Sequence, residues 1–255
     1  MEISLTRIVG SVLLVGLRIS GLMLFAPFLS STPIPVRIKV VLAIAMTAVL
    51  YPVHVQNLPV VETSRWPMVV VTEVLVGIGM GVATSVVLEA VQVAGQVLSL
   101  QMGYSLVNIL DPLTQVESTV VALFHQTIAM LIFLGLDVHH WILRAVAHSF
   151  EYLPPGSATL NPAFLEATMH EGAVILALGI QIAAPVLSVT LLMDIILGLL
   201  GKASPQMPLM LLGPAVKSML GVLVLGMTLR YWPRLFEKYF SMSIAYTEHL
   251  LHLAR

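Results

Sequence analysis

Residues 89–117 read E-A-V-Q-V-A-G-Q-V-L-S-L-Q-M-G-Y-S-L-V-N-I-L-D-P-L-T-Q-V-E. The stretch lies in the middle of a very apolar chain, yet it is rich in Gln, Ser, Gly and Asn. Its first half has helical spacing. Gln92, Gln96, Ser99 and Gly103 recur at i, i+4, i+7 and i+11, on one face, with Val93, Val97 and Leu100 around the rest. Beyond Gly103 small and polar residues thicken, and Asp111-Pro112 predicts a turn, because a residue before proline is pushed out of the α region. A helix facing lipid does not carry a row of amides. This one is expected to face protein interior or an aqueous passage, with a functional loop after it.

The chain has 255 residues, of which 58% are hydrophobic and 10% charged, and its mean hydropathy is +0.98. Ordinary soluble domains carry about 25% charged residues, so the composition specifies an all-α integral membrane protein with roughly five or six apolar helices. The net charge of −1 supplies no basic stripe for nucleic acid. With no cysteine, disulfides, thiolate metal sites and cysteine catalysis are excluded. The N-terminus, M-E-I-S-L-T-R, lacks a basic n-region and a small-residue cleavage site, so the first apolar run is expected to be retained.

The first predicted helix covers about Ile8 to Leu29 and contains Arg18, whose burial in a membrane costs about 2.5–3.5 kcal/mol unless it finds a partner. A proline-rich turn leads past Arg37 and Lys39 into a second apolar run, Val40 to Val53. The third helix, about Met68 to Leu88, carries Glu73, Gly77, Gly81, Ser85 and Glu89 at steps of four. They read as one small-and-polar ridge, a seam that lets another helix or subunit approach closely. Ser118 to Leu143 reads as one apolar helix holding His125 and Asp137. Asn161-Pro162 begins a short amphipathic helix, and Gly172 to Leu200 is a long apolar run with Pro185 and Asp194 inside it. Leu209 to Trp232, with Gly213-Pro214 and Lys217, is the last long apolar stretch. The tail 233–255 is amphipathic and is expected at the membrane interface or on a neighbouring subunit.

Catalytic constellations are missing. V-G-I-G-M-G does not match the dinucleotide fingerprint, and neither H-E-x-x-H nor G-x-S-x-G occurs. His139 and His140 diverge by about 100° on a regular helix, which disfavours a shared ion. Glu73, Asp137 and Asp194 suit ion pairs with Arg18 or Lys217, with proton relay as the competing role. Arg18, Glu73, Glu89, Asp137, Asp194 and Lys217 recur through almost every apolar run, too often for independent helices in lipid, and Arg18, Asp137, Asp194 and Lys217 are expected as buried charges. No enzyme activity, cofactor or metal is expected.

Several motifs together carry a family resemblance. They are A-P-F at Ala26 with P-I-P-V-R-I-K at Pro33; A-G-Q-V-L-S-L-Q-M-G-Y-S-L at Ala94 with Asp111-Pro112; and F-E-Y-L-P-P-G at Phe150 with N-P-A-F-L at Asn161. A-P-V at Ala184, D-I-I-L-G-L-L-G-K-A-S-P-Q-M at Asp194 and L-G-P-A-V-K at Leu212 complete the series. In this order, over nearly the whole chain, they resemble the FliR/SctT family of type III secretion export-gate proteins, and their wording is closer to the flagellar branch. Tyr104 and Val107 are bulkier than usual for that family.

The resemblance implies a FliP-like helical portion over residues 1–171, a FliQ-like hairpin over 172–232 and an amphipathic C-terminal tail over 233–255. It implies a subunit of a helical, cone-shaped gate in the bacterial inner membrane at the flagellar basal body. FliP and FliQ are the implied assembly partners, in several copies each, with FlhA, FlhB and the export ATPase complex on the cytoplasmic side. The implied cargo is unfolded flagellar protein. The loop after Q-M-G then corresponds to a lumen plug over 103–117, formed here by Gln101, Met102, Gly103, Tyr104, Ser105, Leu106, Val107, Asn108, Ile109, Leu110, Asp111 and Pro112, with Gln101 and Asn108 expected to hold it closed. The alternatives are an injectisome homologue of SctT type, a small secondary transporter with a site near Pro185 and Asp194, and a structural membrane subunit without a pore.

Overall fold

In a computed structural model, described for residues 5–27, 29, 34–54, 63–104, 120–159, 161–204, 206 and 209–255, the apolar runs become eight α-helices, with no strand among those residues. They are α1 (Leu5–Phe25), α2 (Val36–His54), α3 (Trp66–Gln101), α4 (Val120–Gly135), α5 (Val138–Tyr152), α6 (Pro162–Ala203), α7 (Leu209–Leu229) and α8 (Trp232–Leu253). Lipid offers backbone groups no hydrogen bonds, and helices satisfy those groups internally. Four helices are long and apolar enough to cross a membrane, and α4 with α5 add a fifth crossing if the bent pair is one span. The protein is an all-α membrane protein.

Helix ends follow the local chemistry. Asn161 caps α6, its Oδ1 accepting from the Phe164 N–H at 2.8 Å, and Pro162 opens the helix where no N–H is needed. The expected amphipathic helix and the following apolar run are one continuous helix of 42 residues passing through Pro185. At 1.5 Å per residue α6 extends about 63 Å and the 36-residue α3 about 54 Å. Both exceed the roughly 30 Å of bilayer hydrocarbon.

The chain divides into two compact units. Residues 1–86, 137–173 and 239–255 form the first, and residues 87–136 and 174–238 the second. In the first, α2 lies against α1 and touches α5, while Ile19, Leu22, Val76, Met80, Phe150 and Phe240 are buried. Residues 239–255 of the tail belong to this unit: Asn161 Nδ2 donates to Leu253 O at 2.8 Å and Thr159 N to Ala254 O at 2.9 Å. Tyr246 donates its hydroxyl to Ala167 O at 3.0 Å. Burial, and secondarily the charge of Glu171, push that hydroxyl's pKa up and keep it a donor. The C-terminal helix therefore finds its partner within its own chain. In the second unit Ala94, Leu98, Met102, Phe133, Ala183 and Phe236 are buried.

The helices differ in how much protein covers them. The apolar window of α3 is 67% buried, against 28% for α6 and 17% for α7. Leu191, Leu192, Ile195 and Leu199 of α6 and Met219, Val222, Leu223 and Met227 of α7 are exposed. Large apolar surface left open on a membrane protein is covered by lipid or by other subunits.

Candidate functional site

The site is the root of the segment singled out by sequence, where α3 ends. Tyr104 N–H donates to Ser99 O at 3.0 Å and Gly103 N–H to Leu100 O at 3.2 Å. These are the two reversed bonds of a Schellman C-cap, with Gly103 at φ +87° in the left-handed position where a Cβ is strained. A side chain there would also lie 3.1 Å from Pro214 Cβ. Glycine is what lets the chain leave α3 abruptly.

Three contacts moor this helix end to α6 and α7. Gln101 Nε2 donates to Asp194 Oδ2 at 2.8 Å, and the other Asp194 oxygen meets Lys217 Nζ at 2.8 Å. One carboxylate thus joins the last residue of α3 to α7. The Ser218 hydroxyl lies 3.0 Å from Met102 O and 2.7 Å from Pro214 O, so its single proton serves either carbonyl. Met102 is buried and its thioether fills the space opposite Gly221, where an added Cβ would sit 2.8 Å from Sδ. The tie is polar, half-buried and small. Asp194 keeps 41% and Lys217 18% of their side-chain surface exposed.

The first unit holds a different kind of charge site. Arg18 and Glu73 are buried to 1% and 0% exposure, and their pairing is bidentate, Nε to Oε2 at 2.7 Å and Nη2 to Oε1 at 3.1 Å. Arg18 Nη1 reaches Leu153 O at 2.9 Å and Ser149 O at 3.1 Å, at the carbonyl-rich end of α5. Gly156 N–H donates to Glu73 Oε1 at 2.7 Å, and the guanidinium lies 4.6 Å from the Phe150 ring centroid. The F-E-Y-L-P-P-G motif is the cradle of this pair. Buried ions persist only when paired and hydrogen-bonded, and both conditions are met.

Around that pair, α1 and α3 approach backbone to backbone. A Cβ on Gly77 would collide with Arg18 O, one on Gly81 would lie 2.7 Å from Leu22 O, and one on Gly21 would lie 2.5 Å from Val74 O. The glycines of α3 therefore face α1 of the same chain. Ser85 is buried, its hydroxyl donating to Val82 O at 2.9 Å.

Three predicted positions need correction, the first of them Asp194, expected as a buried charge yet 41% exposed at its side chain. Glu89 is exposed and outside the seam. Each step of four residues advances about 40° around a helix, so four steps from Glu73 carry it about 160° away. Asp137 is also not buried: its side chain is 68% exposed. The expected helix 118–143 breaks there, α4 and α5 meeting at 65°, with Asp137 at φ +55° between them. Ser105, Leu106, Val107, Asn108, Ile109, Leu110, Asp111 and Pro112 lie outside the described residues. Sequence reasoning missed Ser218, Gly221 and Gly21, whose roles come from what faces them; Ser149, Leu153 and Gly156 act through backbone atoms that side-chain chemistry does not advertise.

Comparison with known proteins gives a consistent result. A family model described as bacterial export proteins, family 1, matches residues 9–243. The flagellar biosynthetic protein FliR of Escherichia coli K12 is 31% identical over 199 residues, covering 77% of this chain and 76% of its own. FliR of Pectobacterium carotovorum is 28% identical, covering 88% and 86% of the two chains. FliR of Bacillus subtilis 168 is 27% identical over 247 residues, with 94% of both chains covered.

Proposed function

The chain belongs to the bacterial export proteins, family 1, and as a component of the flagellar export apparatus we propose that it lines the export pore together with FliP and FliQ. The relatives' flagellar names favour this branch over the injectisome one. Residues 172–232 then act as a FliQ-like hairpin, whose uncovered apolar faces on α6 and α7 meet sister subunits and lipid. Helices longer than the bilayer core suit an assembly raised partly out of the inner membrane. FlhA, FlhB and the export ATPase would engage it from the cytoplasm.

In this reading the segment 103–117 stoppers the lumen at rest. The observation that carries it is the root of that segment: a sharply terminated helix held by one amide, one carboxylate and one hydroxyl. A stopper must exclude ions, yet yield to an unfolded chain. A strong buried pair such as Arg18–Glu73 would hold too tightly, whereas a half-exposed tie releases at small cost. Deleting Val107–Leu110 is expected to make cells leak small ions while the export complex still assembles. A tight membrane around an assembled complex would overturn the plug.

A further inference from the structure

The elbow between α4 and α5 brings together three side chains that the export reading leaves unused. Only Leu136 and Asp137 separate the two helices, which meet at 65°. With Asp137 in the left-handed region, its carboxylate turns toward the first turn of α5. Asp137 Oδ1 is 3.4 Å from His140 Nδ1 and 3.9 Å from His139 Nε2. The two imidazoles, which would diverge on a straight helix, have ring centroids 4.1 Å apart. One donor atom from each of the three residues lies within 4.8 Å of the other two.

From this convergence we infer that Asp137, His139 and His140 form a binding site for a divalent transition-metal ion of the zinc, cobalt or nickel class. Donors bound to one such ion at about 2.0–2.2 Å sit roughly 3–3.5 Å from each other. The observed separations therefore need only small side-chain rotations to close around an ion. Two imidazole nitrogens and one carboxylate oxygen select borderline metals; magnesium and calcium prefer all-oxygen shells. All three side chains are exposed on the surface of the chain, at 68%, 39% and 57% for Asp137, His139 and His140. Three protein donors leave the remaining coordination positions open to water or another small ligand. The site is an open one, and an ion there would tie the Asp137 turn to the first turn of α5.

The test uses the full-length chain purified in mild detergent, stripped with chelator and titrated with Co²⁺ alone. We expect saturable binding of one equivalent attributable to the elbow, an X-ray absorption spectrum containing imidazole nitrogen, and displacement by Zn²⁺ but not by excess Mg²⁺. Asp137→Asn, His139→Ala and His140→Ala should each weaken binding about tenfold or more. His148→Ala serves as control, since His148 lies outside the elbow and pairs with Glu151, and should leave affinity unchanged. Equal affinity in the elbow variants, an all-oxygen cobalt spectrum, or loss of binding in the control variant would overturn the assignment.

Discussion

Two ion pairs of this protein, Arg18–Glu73 and Asp194–Lys217, have nearly equal contact distances, 2.7 and 2.8 Å, and opposite consequences. The first is sealed from solvent and its hydrogen-bonding capacity is spent on α5 and the turn that follows. The second is partly exposed on the surface of the chain, and one of its carboxylate oxygens is used on the end of α3. Distance alone therefore does not measure what a pair does. Burial sets whether losing one partner strands a charge in a medium that cannot solvate it. The sealed pair locks a core, and the partly exposed pair is the weaker tie.

The largest expected effect comes from breaking the sealed pair. Glu73→Gln or Arg18→Leu leaves one charge uncompensated and should cost about 3–5 kcal/mol, enough to remove folded protein from the membrane. The double variant Arg18→Met with Glu73→Leu should be more stable than either single one, as read by thermal unfolding in detergent. If the doubles and singles unfold alike, the pair does not act as a unit.

Next in size is the close approach beside it. Gly81→Leu must push α1 away from α3, because Leu22 O and Phe25 Cβ already stand 2.7 and 3.1 Å from where its Cβ would be. Overpacking of this kind typically costs about 1–3 kcal/mol. The chain itself should lose thermal stability, with any loss of co-purification with FliP following from that. A variant of wild-type stability that nevertheless fails to assemble would move the seam to a subunit interface.

The smallest stability effect is expected at the partly exposed pair, Asp194–Lys217. Asp194→Asn keeps an oxygen for Gln101 and removes the charge facing Lys217, changing stability by less than about 1 kcal/mol. Ion leakage is the sensitive readout: we expect it to rise in Asp194→Asn cells that still assemble the complex. A large drop in unfolding temperature would instead make Asp194 a structural residue of the Arg18–Glu73 kind.

The corrections have one physical origin. A repeat of four residues marks a stripe only over short distances, so Glu73, Gly77, Gly81 and Ser85 are buried while Glu89 has rotated outward. Apolar content alone does not reveal a bend, so Asp137 read as buried when it occupies an exposed turn. The tail's amphipathic pattern announced that it would be covered, but Asn161, Thr159 and Ala167 named the cover.

What the sequence by itself determined is the solvent and the currency of this protein. A chain so poor in charge must be helical and membrane-borne, and its motifs place it among export proteins. Tertiary structure alone decided which acid meets which base, that the glycines of α3 face α1, and that one tie moors the end of α3 while another stays sealed. Composition and periodicity are properties of neighbours along the chain, whereas partners and burial depend on residues brought together from far apart in it.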